Sequence, residues 1–430
     1  MASSTDISLR SKMIYQVFVR QHSTSGDFEG VIRDLDRIKE LGTDILYLMP
    51  IHPIGIKDRK GDIGSPYAIM DHMTIDPAYG TEDDFDRLVE ETRARGMKLM
   101  IDIVINHTSR DSVLTKQHPE WFFRRTDGTF ANRIGDWSDI TDLDYTVPGV
   151  RAYFKDVLLH WARRVDGFRC DVAPMVPMDF WKEVRTAVES FDPSFIWLSE
   201  SVHLSFVKYL RDNGVACASD SEVFGVFDIA YDYDIFDHMD AYLDNPAHLS
   251  RWLEEIMRQE SVYPENYVKL RSFENHDQDR LRHKVRDDNH FRNMLAMSFF
   301  VKGATMVYAG MEHMASHKPD LFTDDKVKWD DSRSVSSLIN TLSKLKKKTA
   351  LVKGVFDHLP QDEAAVFRYR LDDEVLVGIF NLESATGIMT GLKDGTYPDL
   401  LGSGDVRVMD GYVSGINEPV VLAARKDDIQ

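Results

Sequence analysis

Eight short runs rich in β-branched and aromatic residues recur along the first three quarters of the chain, and each is followed by a helix-period segment. The predicted strands span 13–20, 45–50, 98–104, 166–171, 195–200, 227–232, 268–275 and 305–310. Strands that alternate with helices, such as the helix predicted over 28–41, indicate a parallel sheet with crossover helices. Eight units favour an α/β fold of the (β/α)8 TIM-barrel type. An open dinucleotide-binding sheet would need a glycine-rich turn after the first strand, and QHSTSGDFEG contains no GxGxxG.

The domain prediction places the barrel in residues 1–107 and 143–350. Residues 108–142, after strand 3, are predicted as a short inserted domain. Beyond the barrel the helix-period pattern ends, and the sequence consists of alternating or continuous apolar runs separated by glycine-rich turns. Residues 355–430 are therefore predicted as a C-terminal antiparallel β domain of the sandwich type.

The charge and the cysteine content limit which binding partners and which cellular compartment can be expected for this protein. The 430 residues carry 52 Lys and Arg against 71 Asp and Glu, a formal net charge of −19, which argues against a nucleic-acid partner. The two cysteines, Cys170 and Cys217, cannot form a disulfide framework and suit a reducing compartment. Neither a signal peptide nor a membrane-spanning run is recognisable, so we expect a cytoplasmic protein without a membrane partner. Oligomeric state stays open.

Ionisable and amide side chains stand where the predicted strands end. These residues are Asp102, Asn106 and His107 at the end of strand 3, Arg169 and Asp171 at the end of strand 4, Glu200 at the end of strand 5, and Asn275, His276 and Asp277 at the end of strand 7. In barrels of this type the active site lies at the carboxyl ends of the strands. Because a buried unpaired ion costs several kcal/mol, a core does not gather charges in this way. The convergence predicts an active site.

Two of the carboxyls differ in their predicted surroundings. Arg169 and Asp171 are two residues apart on a strand and so share a face, and an adjacent arginine is expected to lower a carboxyl pKa by about 1–3 units. An ionised, fixed carboxylate can act as a nucleophile. Glu200 follows the apolar run FIWL, which favours a raised pKa and a general-acid role. Glycoside hydrolysis uses such a pair.

Each residue also has a structural interpretation. Asp171 alone could be a salt-bridge partner of Arg169, and Glu200 alone could begin the following helix. His107 or His276 could be hydrogen-bonded structural histidines, and Asp277 could cap a loop or helix. These interpretations would all have to coincide at adjacent strand ends, which favours the functional one.

Four segments resemble the conserved motifs of the α-amylase family, a large group of retaining glycoside hydrolases. They are DIVINH (102–107), GFRCDVA (167–173), WLSE (197–200) and FENHD (273–277), in the family's order and strand placement. The resemblance extends to SPYAIMDHMTIDPAYGT, DLDY and VYAGME, and covers about residues 13–312.

The resemblance implies a role for each candidate residue of the active site. Asp171 would be the nucleophile, Glu200 the general acid/base and Asp277 the stabiliser of the oxocarbenium-like transition state. Among the substrate-binding residues, Arg169 would position Asp171, His107 and His276 would hydrogen-bond the sugar whose bond is cleaved, and Tyr67 would stack beneath it. Asp102 would support Arg169. Retention requires the two reacting carboxyls to lie about 5–5.5 Å apart.

The resemblance also bears on metals. Asn106 and Asp142 match positions that hold a structural Ca²⁺ in many family members, and oxygen ligands suit that ion. No cofactor is expected to be required for the chemistry. Zinc is not expected, because the sequence has neither a CxxC pair nor HExxH.

The predicted function is hydrolysis of α-glucosidic, most simply α-1,4, bonds in maltooligosaccharides or starch-like glucans with retention. Ala68 stands where family α-glucosidases often carry Asp, which weakens an exo-glucosidase interpretation. VAPMVP follows Asp171 where many amylases carry a Lys-His pair, so the leaving-group side of the cleft is expected to be unusual. The alternatives are a transglycosylase or α-glucosidase-type relative, and a non-catalytic sugar-binding protein on the same barrel. Chain length and endo or exo action stay open.

Overall fold

Eight parallel strands close into a barrel in the computed structural model, which describes residues 5–135, 137–402 and 404–430. The strands are β1 Met13–Val17, β2 Ile45–Leu48, β3 Lys98–Ile103, β4 Gly167–Cys170, β5 Ile196–Ser199, β6 Ile229–Tyr231, β7 Lys269–Arg271 and β8 Ala304–Tyr308. Each strand pairs with its sequence neighbour, and β1 pairs with β8. The predicted (β/α)8 fold is confirmed.

The strands are buried almost along their whole length, because helices cover the outside of the barrel and side chains fill its inside. For this reason they stand out in the sequence as short apolar runs. In the part of the chain that the structure describes, no helix is long and apolar enough to cross a membrane.

Helices separate the strands. The α-helices are Val19–His22, Phe28–Ile32, Leu35–Glu40, Glu82–Ala94, Val113–Gln117, Pro148–Ala162, Met178–Glu189, Leu204–Asp212, Asp220–Val223, Tyr233–Asp244, Leu249–Val262, Leu281–Lys284, Asp288–Phe300, Ser336–Lys346 and Thr349–Lys353. Short 3-10 helices span Ile7–Ser11, Pro119–Trp121, Ala173–Met175, Pro246–His248, Met311–His313, Asp331–Arg333 and Lys426–Asp428. The single helix predicted over 28–41 is two helices, since the regular α-helical hydrogen bonding breaks at Arg33 and Asp34.

Local sequence explains where the helix between β2 and β3 begins. Thr81 accepts a hydrogen bond from the Asp84 backbone N–H, and the Asp84 side chain accepts one from the Thr81 N–H, which forms a capping box. Phe85, Leu88 and Val89 then lie on the buried face at helical spacing.

The inserted segment is attached at its base by a two-stranded antiparallel ladder. His107–Ser109 pairs with Ile140–Asp142, and His107 lies directly opposite Asp142. The ladder places the insertion next to the carboxyl end of β3.

The C-terminal region is built from antiparallel sheets, as predicted. A four-stranded sheet contains, in spatial order, Val355–His358, Ala364–Leu371, Glu374–Asn381 and Val420–Arg425. Two smaller ladders pair Gly387–Met389 with Tyr412–Ser414 and Gly395–Pro398 with Asp405–Val408. The domain limits and the sandwich arrangement stay predictions.

Candidate active site

Strand register brings the predicted catalytic residues to one part of the rim. Asp102 on β3 is the register partner of Arg169 on β4. The ladders continue one residue past the strands, because the Asp171 N–H donates to the Ile103 carbonyl at 2.9 Å and the Glu200 N–H donates to the Cys170 carbonyl at 3.0 Å. Asp171 and Glu200 therefore stand side by side at the barrel mouth.

A single guanidinium group contacts three carboxylates. Arg169 Nη1 lies 2.9 Å from Asp102 Oδ1 and 2.9 Å from Asp171 Oδ1, and Nη2 lies 2.8 Å from Glu200 Oε1. The Glu200 contact is an ion pair without the alignment of a hydrogen bond. The Arg169 and Asp102 side chains are completely buried. Asp171 is thus a salt-bridge partner of Arg169, as its structural interpretation required, and it also faces the cleft.

The surroundings of Asp171 differ from the sequence prediction. Burial raises the pKa of the Asp171 carboxyl well above its ordinary value, and the charge of Glu200 adds to this, while Arg169 opposes it. Arg169 acts on this pKa in the expected direction, but the expectation of a lowered pKa for Asp171 is wrong. The physical reason is that the burial of Asp171, together with the charges of Glu200 and Asp102, outweighs the effect of the single cation Arg169.

Glu200 has a raised pKa, as predicted. Burial is the main cause, Arg169 opposes it, and the charge of Asp277 adds to it. The Val172 N–H donates to Glu200 Oε2 at 2.7 Å and favours the ionised form. As a result, the pair formed by Asp171 and Glu200 retains a proton at a higher pH than two carboxyls in water would.

The Arg169 ion pairs lead to a stability prediction. Arg169→Met is expected to lower the free energy of unfolding at pH 7 by about 3–5 kcal/mol, since it leaves Asp102, Asp171 and Glu200 buried without a cation. The unpaired carboxyls then have raised pKa values, so the loss is smaller at pH 5, where they take up protons. Urea unfolding at both pH values, with the exposed Arg163→Met as control, measures the effect. An equal loss at both pH values would contradict it.

His276 links the far side of the cleft to the barrel interior. Its Nε2 lies 3.1 Å from Asp277 Oδ2 and 2.6 Å from the Tyr67 hydroxyl, and its Nδ1 lies 2.8 Å from the Gln16 side-chain amide. The Tyr67 ring stacks on the His276 ring at a centroid distance of 5.3 Å, and its hydroxyl donates to Asp102 at 3.1 Å. Protein groups thus engage both nitrogens of His276.

Asp277 has a lowered pKa, in contrast to Asp171 and Glu200. Its side chain is 45% exposed to water, yet it lies in a cleft among protein atoms, so desolvation still opposes its charge. His276, Arg169 and Lys318 outweigh that cost and lower the Asp277 pKa to about 2. A fixed negative charge therefore faces the cleft throughout the neutral range.

His107 enters the site from the base of the insertion. It is buried, which lowers its pKa, and its Nδ1 lies 3.1 Å from Asn106 Nδ2. Its ring lies 5.5 Å from that of Trp137. The insertion thus supplies one wall of the cleft.

The rim encloses a cleft of about 230 Å³. Its lining residues are Lys60, Ser65, Tyr67, His107, Trp137, Asp139, Ile140, Asp171, Val172, Glu200, Asp277, Leu321 and Phe322. Five of the predicted residues line this cleft, and Asp102, Arg169 and His276 contact four of them, all except His107, from behind. Sequence reasoning missed Gln16, Trp137 and Phe322. A polar residue inside the apolar run MIYQVFV was a signal for Gln16, but nothing in the sequence marked the loop residues.

The predicted calcium positions hold an arginine between them. Arg133 Nε lies 2.8 Å from Asp142 Oδ2, and Arg133 Nη2 lies 3.3 Å from Asn106 Oδ1. Among the described residues, no group of three or more His, Cys, Asp or Glu side chains is arranged to hold a metal. The side chains around Asn106 and Asp142 therefore do not fit a calcium ion.

The chain matches two family models. "Alpha amylase, catalytic domain" matches residues 14–352, and "Bacterial Alpha amylase C-terminal domain" matches residues 357–422. Together they span the barrel and most of the C-terminal sheets.

Solved structures and curated relatives agree with these matches. An alpha-amylase from Lactobacillus plantarum is 42% identical over 97% of this chain and 100% of its own, with a TM-score of 0.93. A maltogenic alpha-amylase from Thermotoga neapolitana is 28% identical over 97% and 99%, with a TM-score of 0.87.

Two curated relatives are longer proteins. An intracellular maltogenic amylase from Bacillus subtilis is 26% identical over 83% of this chain and 62% of its own length. An alpha-1,4-glucan:maltose-1-phosphate maltosyltransferase from Pseudomonas aeruginosa is 36% identical over 44% and 32%. This chain thus spans less than two thirds of either relative. Since the catalytic-domain model covers most of the chain, the chain belongs to the α-amylase family of glycoside hydrolases.

Proposed function

We propose that this protein hydrolyses α-1,4-glucosidic bonds in maltooligosaccharides or starch-like glucans by double displacement with retention. The observation that carries the proposal is the bridging of Asp171 and Glu200 by the Arg169 guanidinium within one cleft. A group as small as a guanidinium holds the two carboxyls on the same side of the site. This supports the short separation that a covalent intermediate requires.

In the first step Asp171 attacks the anomeric carbon, and Glu200 gives its proton to the leaving oxygen as the glycosidic bond breaks. The pKa values of both carboxyls are raised, so the pair holds a proton. The step requires that proton on Glu200 and the negative charge on Asp171, whose Oδ1 accepts a hydrogen bond from Arg169 Nη1 at 2.9 Å. In the second step Glu200, now ionised, takes a proton from water, whose oxygen displaces Asp171 from the sugar. The sugar product is released, and both carboxyls are back in their starting protonation states.

The other groups are assigned to binding and electrostatics. Asp277 keeps its negative charge because its pKa is about 2, and that charge stabilises the positive charge that develops on the sugar ring. Tyr67 and His107, which line the cleft, are proposed to hold that ring, and His276 is proposed to orient Tyr67 and Asp277 from behind. Neutral glucan also suits the aromatic side chains of Trp137 and Phe322 in the cleft.

Product stereochemistry tests the proposal directly. Proton NMR during hydrolysis of maltoheptaose is expected to show the α-anomer of the new reducing end first, followed by its mutarotation. Initial formation of the β-anomer would refute double displacement. Absence of any cleavage would instead favour the non-catalytic sugar-binding alternative, against which the complete set of three carboxylates argues.

A second candidate function is transfer of the glycosyl group to a sugar. Val172, whose N–H donates to Glu200, lines the leaving-group side of the cleft, and its side chain packs on the buried residues Met175 and Val202. An apolar surface there holds a sugar face better than it orders water, and transferase names occur among the relatives. With glucose added as acceptor, a transferase forms products longer than the hydrolysis fragments, whereas a strict hydrolase does not.

We propose a cytoplasmic location. Both Cys170 and Cys217 are free and buried, as expected in a reducing compartment, and the related Bacillus subtilis enzyme is named as intracellular.

A further inference from the structure

Arg133 makes unusual contacts for a residue of an inserted segment. Its backbone N–H and its Nε both donate to Asp142 Oδ2 at 2.8 Å, and its Nη2 donates to Asn106 Oδ1 at 3.3 Å. The Asp142 side chain is completely buried, while that of Arg133 is 24% exposed. A buried carboxylate needs a cationic partner, and Arg133 is the partner that the structure provides.

A calcium ion would need a different arrangement. Calcium takes six to eight oxygen ligands at about 2.3–2.6 Å. Here the guanidinium occupies the space between Asn106 and Asp142, and its N–H groups already bind one oxygen of each. Within the described residues, Asp142 Oδ1 has no hydrogen-bond partner, and a single such oxygen does not make a calcium site.

We propose that Arg133 acts as a built-in cation in place of a structural calcium ion, and that it thereby positions His107. Arg133 thus connects two segments of the chain. It belongs to the insertion, and its partner Asn106 belongs to the segment that follows β3.

The connection to the cleft is short. Asn106 Nδ2 lies 3.1 Å from His107 Nδ1, and His107 lies opposite Asp142 in the ladder at the base of the insertion. The Leu143 N–H also donates to the Asn106 carbonyl at 3.1 Å. Both residues that Arg133 holds therefore contact or flank His107. Arg133 is a positioning residue, and this part rests on the sugar-binding role proposed for His107.

The wild-type protein provides the first test, which does not depend on the proposed function. Excess EDTA followed by dialysis, or added CaCl2, is expected to leave the melting temperature unchanged within about 1 °C. Elemental analysis of the purified protein is expected to find less than about 0.1 calcium per chain. A clear fall in melting temperature on chelation, or about one calcium per chain, would overturn the proposal.

Variants provide the second test. Arg133→Ala is expected to lower the melting temperature by about 5–10 °C, because it leaves Asp142 buried without a cation. Arg133→Lys keeps a cation near Asp142 and is expected to recover at least half of that loss. Arg125→Ala removes the same charge from an exposed position of the same insertion and serves as the matched control.

Kinetics at a temperature where every variant is folded separate positioning from stability. Arg133→Ala is expected to lower kcat on maltoheptaose about tenfold with less than a twofold change in KM, since a misplaced His107 weakens transition-state contacts. Arg125→Ala is expected to match the wild type. A kcat for Arg133→Ala equal to that of Arg125→Ala would overturn the positioning role. If the wild type itself cleaves no glucan, the proposed function fails, while the EDTA and melting results still decide whether Arg133 replaces calcium.

Discussion

Asp171→Asn is expected to lower kcat on maltoheptaose by about 10⁵-fold, because an amide cannot form the covalent glycosyl intermediate. Asn has nearly the same shape as Asp, and Arg169 keeps its contacts with Asp102 and Glu200. The loss is therefore expected in the chemical step and not in folding. Initial rates from reducing-sugar release and a melting curve on the same preparation check both points.

The same variant is expected to be more stable than the wild type at pH 7. Burial raises the pKa of Asp171 in the folded protein, so the native state binds this proton more tightly than the unfolded chain does. Stability from this group then falls as pH rises above the unfolded value near 4, and the Asn variant avoids that loss. The gain in melting temperature should disappear below about pH 4, where the carboxyl is protonated in both states.

The exposed Asp36→Asn is the control, since Asp36 lies on an outer helix and pairs with Arg95. It is expected to leave kcat unchanged. An Asp171→Asn variant that retains more than about 1% of wild-type kcat would remove Asp171 from the role of nucleophile.

The sequence was sufficient to predict the barrel because burial on both faces of a parallel strand leaves a continuous apolar run. The same condition made the rim visible, since charged residues such as Asp102, Arg169 and Glu200 interrupt or end those runs. Strand register then brings together residues that are far apart in the chain, and this follows from the fold class alone. The site could be predicted because regular strands carry most of it.

The loops could not be predicted in the same way. Trp137 and Phe322 reach the cleft from irregular segments, whose course depends on tertiary contacts and not on periodicity. The pKa of Asp171 was predicted in the wrong direction because the sequence shows its neighbour Arg169 but neither the burial of the carboxyl nor the fact that Asp102 and Glu200 share this cation. Likewise, Arg133 carries no local signal of its contacts with Asn106 and Asp142.

Glu200→Gln is expected to slow cleavage of maltoheptaose by about 10³–10⁴-fold, because glutamine cannot give a proton to the leaving oxygen. With 4-nitrophenyl α-maltoside, whose leaving group needs little protonation, the first step should be far less affected. Added azide, which attacks the intermediate without a general base, is expected to raise turnover of this substrate in the variant but not in the wild type.

The pH profile gives an independent check of Glu200. In the wild type the acid must be protonated, so kcat/KM falls as pH rises through its pKa, which burial raises. The Gln variant has no such proton and should lose this alkaline limb. Glu183→Gln, on an exposed helix face where Glu183 pairs with Lys155, is the control and should keep it. Equal losses on both substrates with the alkaline limb intact would show that Glu200 is not the general acid, since a group that gives no proton cannot discriminate between leaving groups.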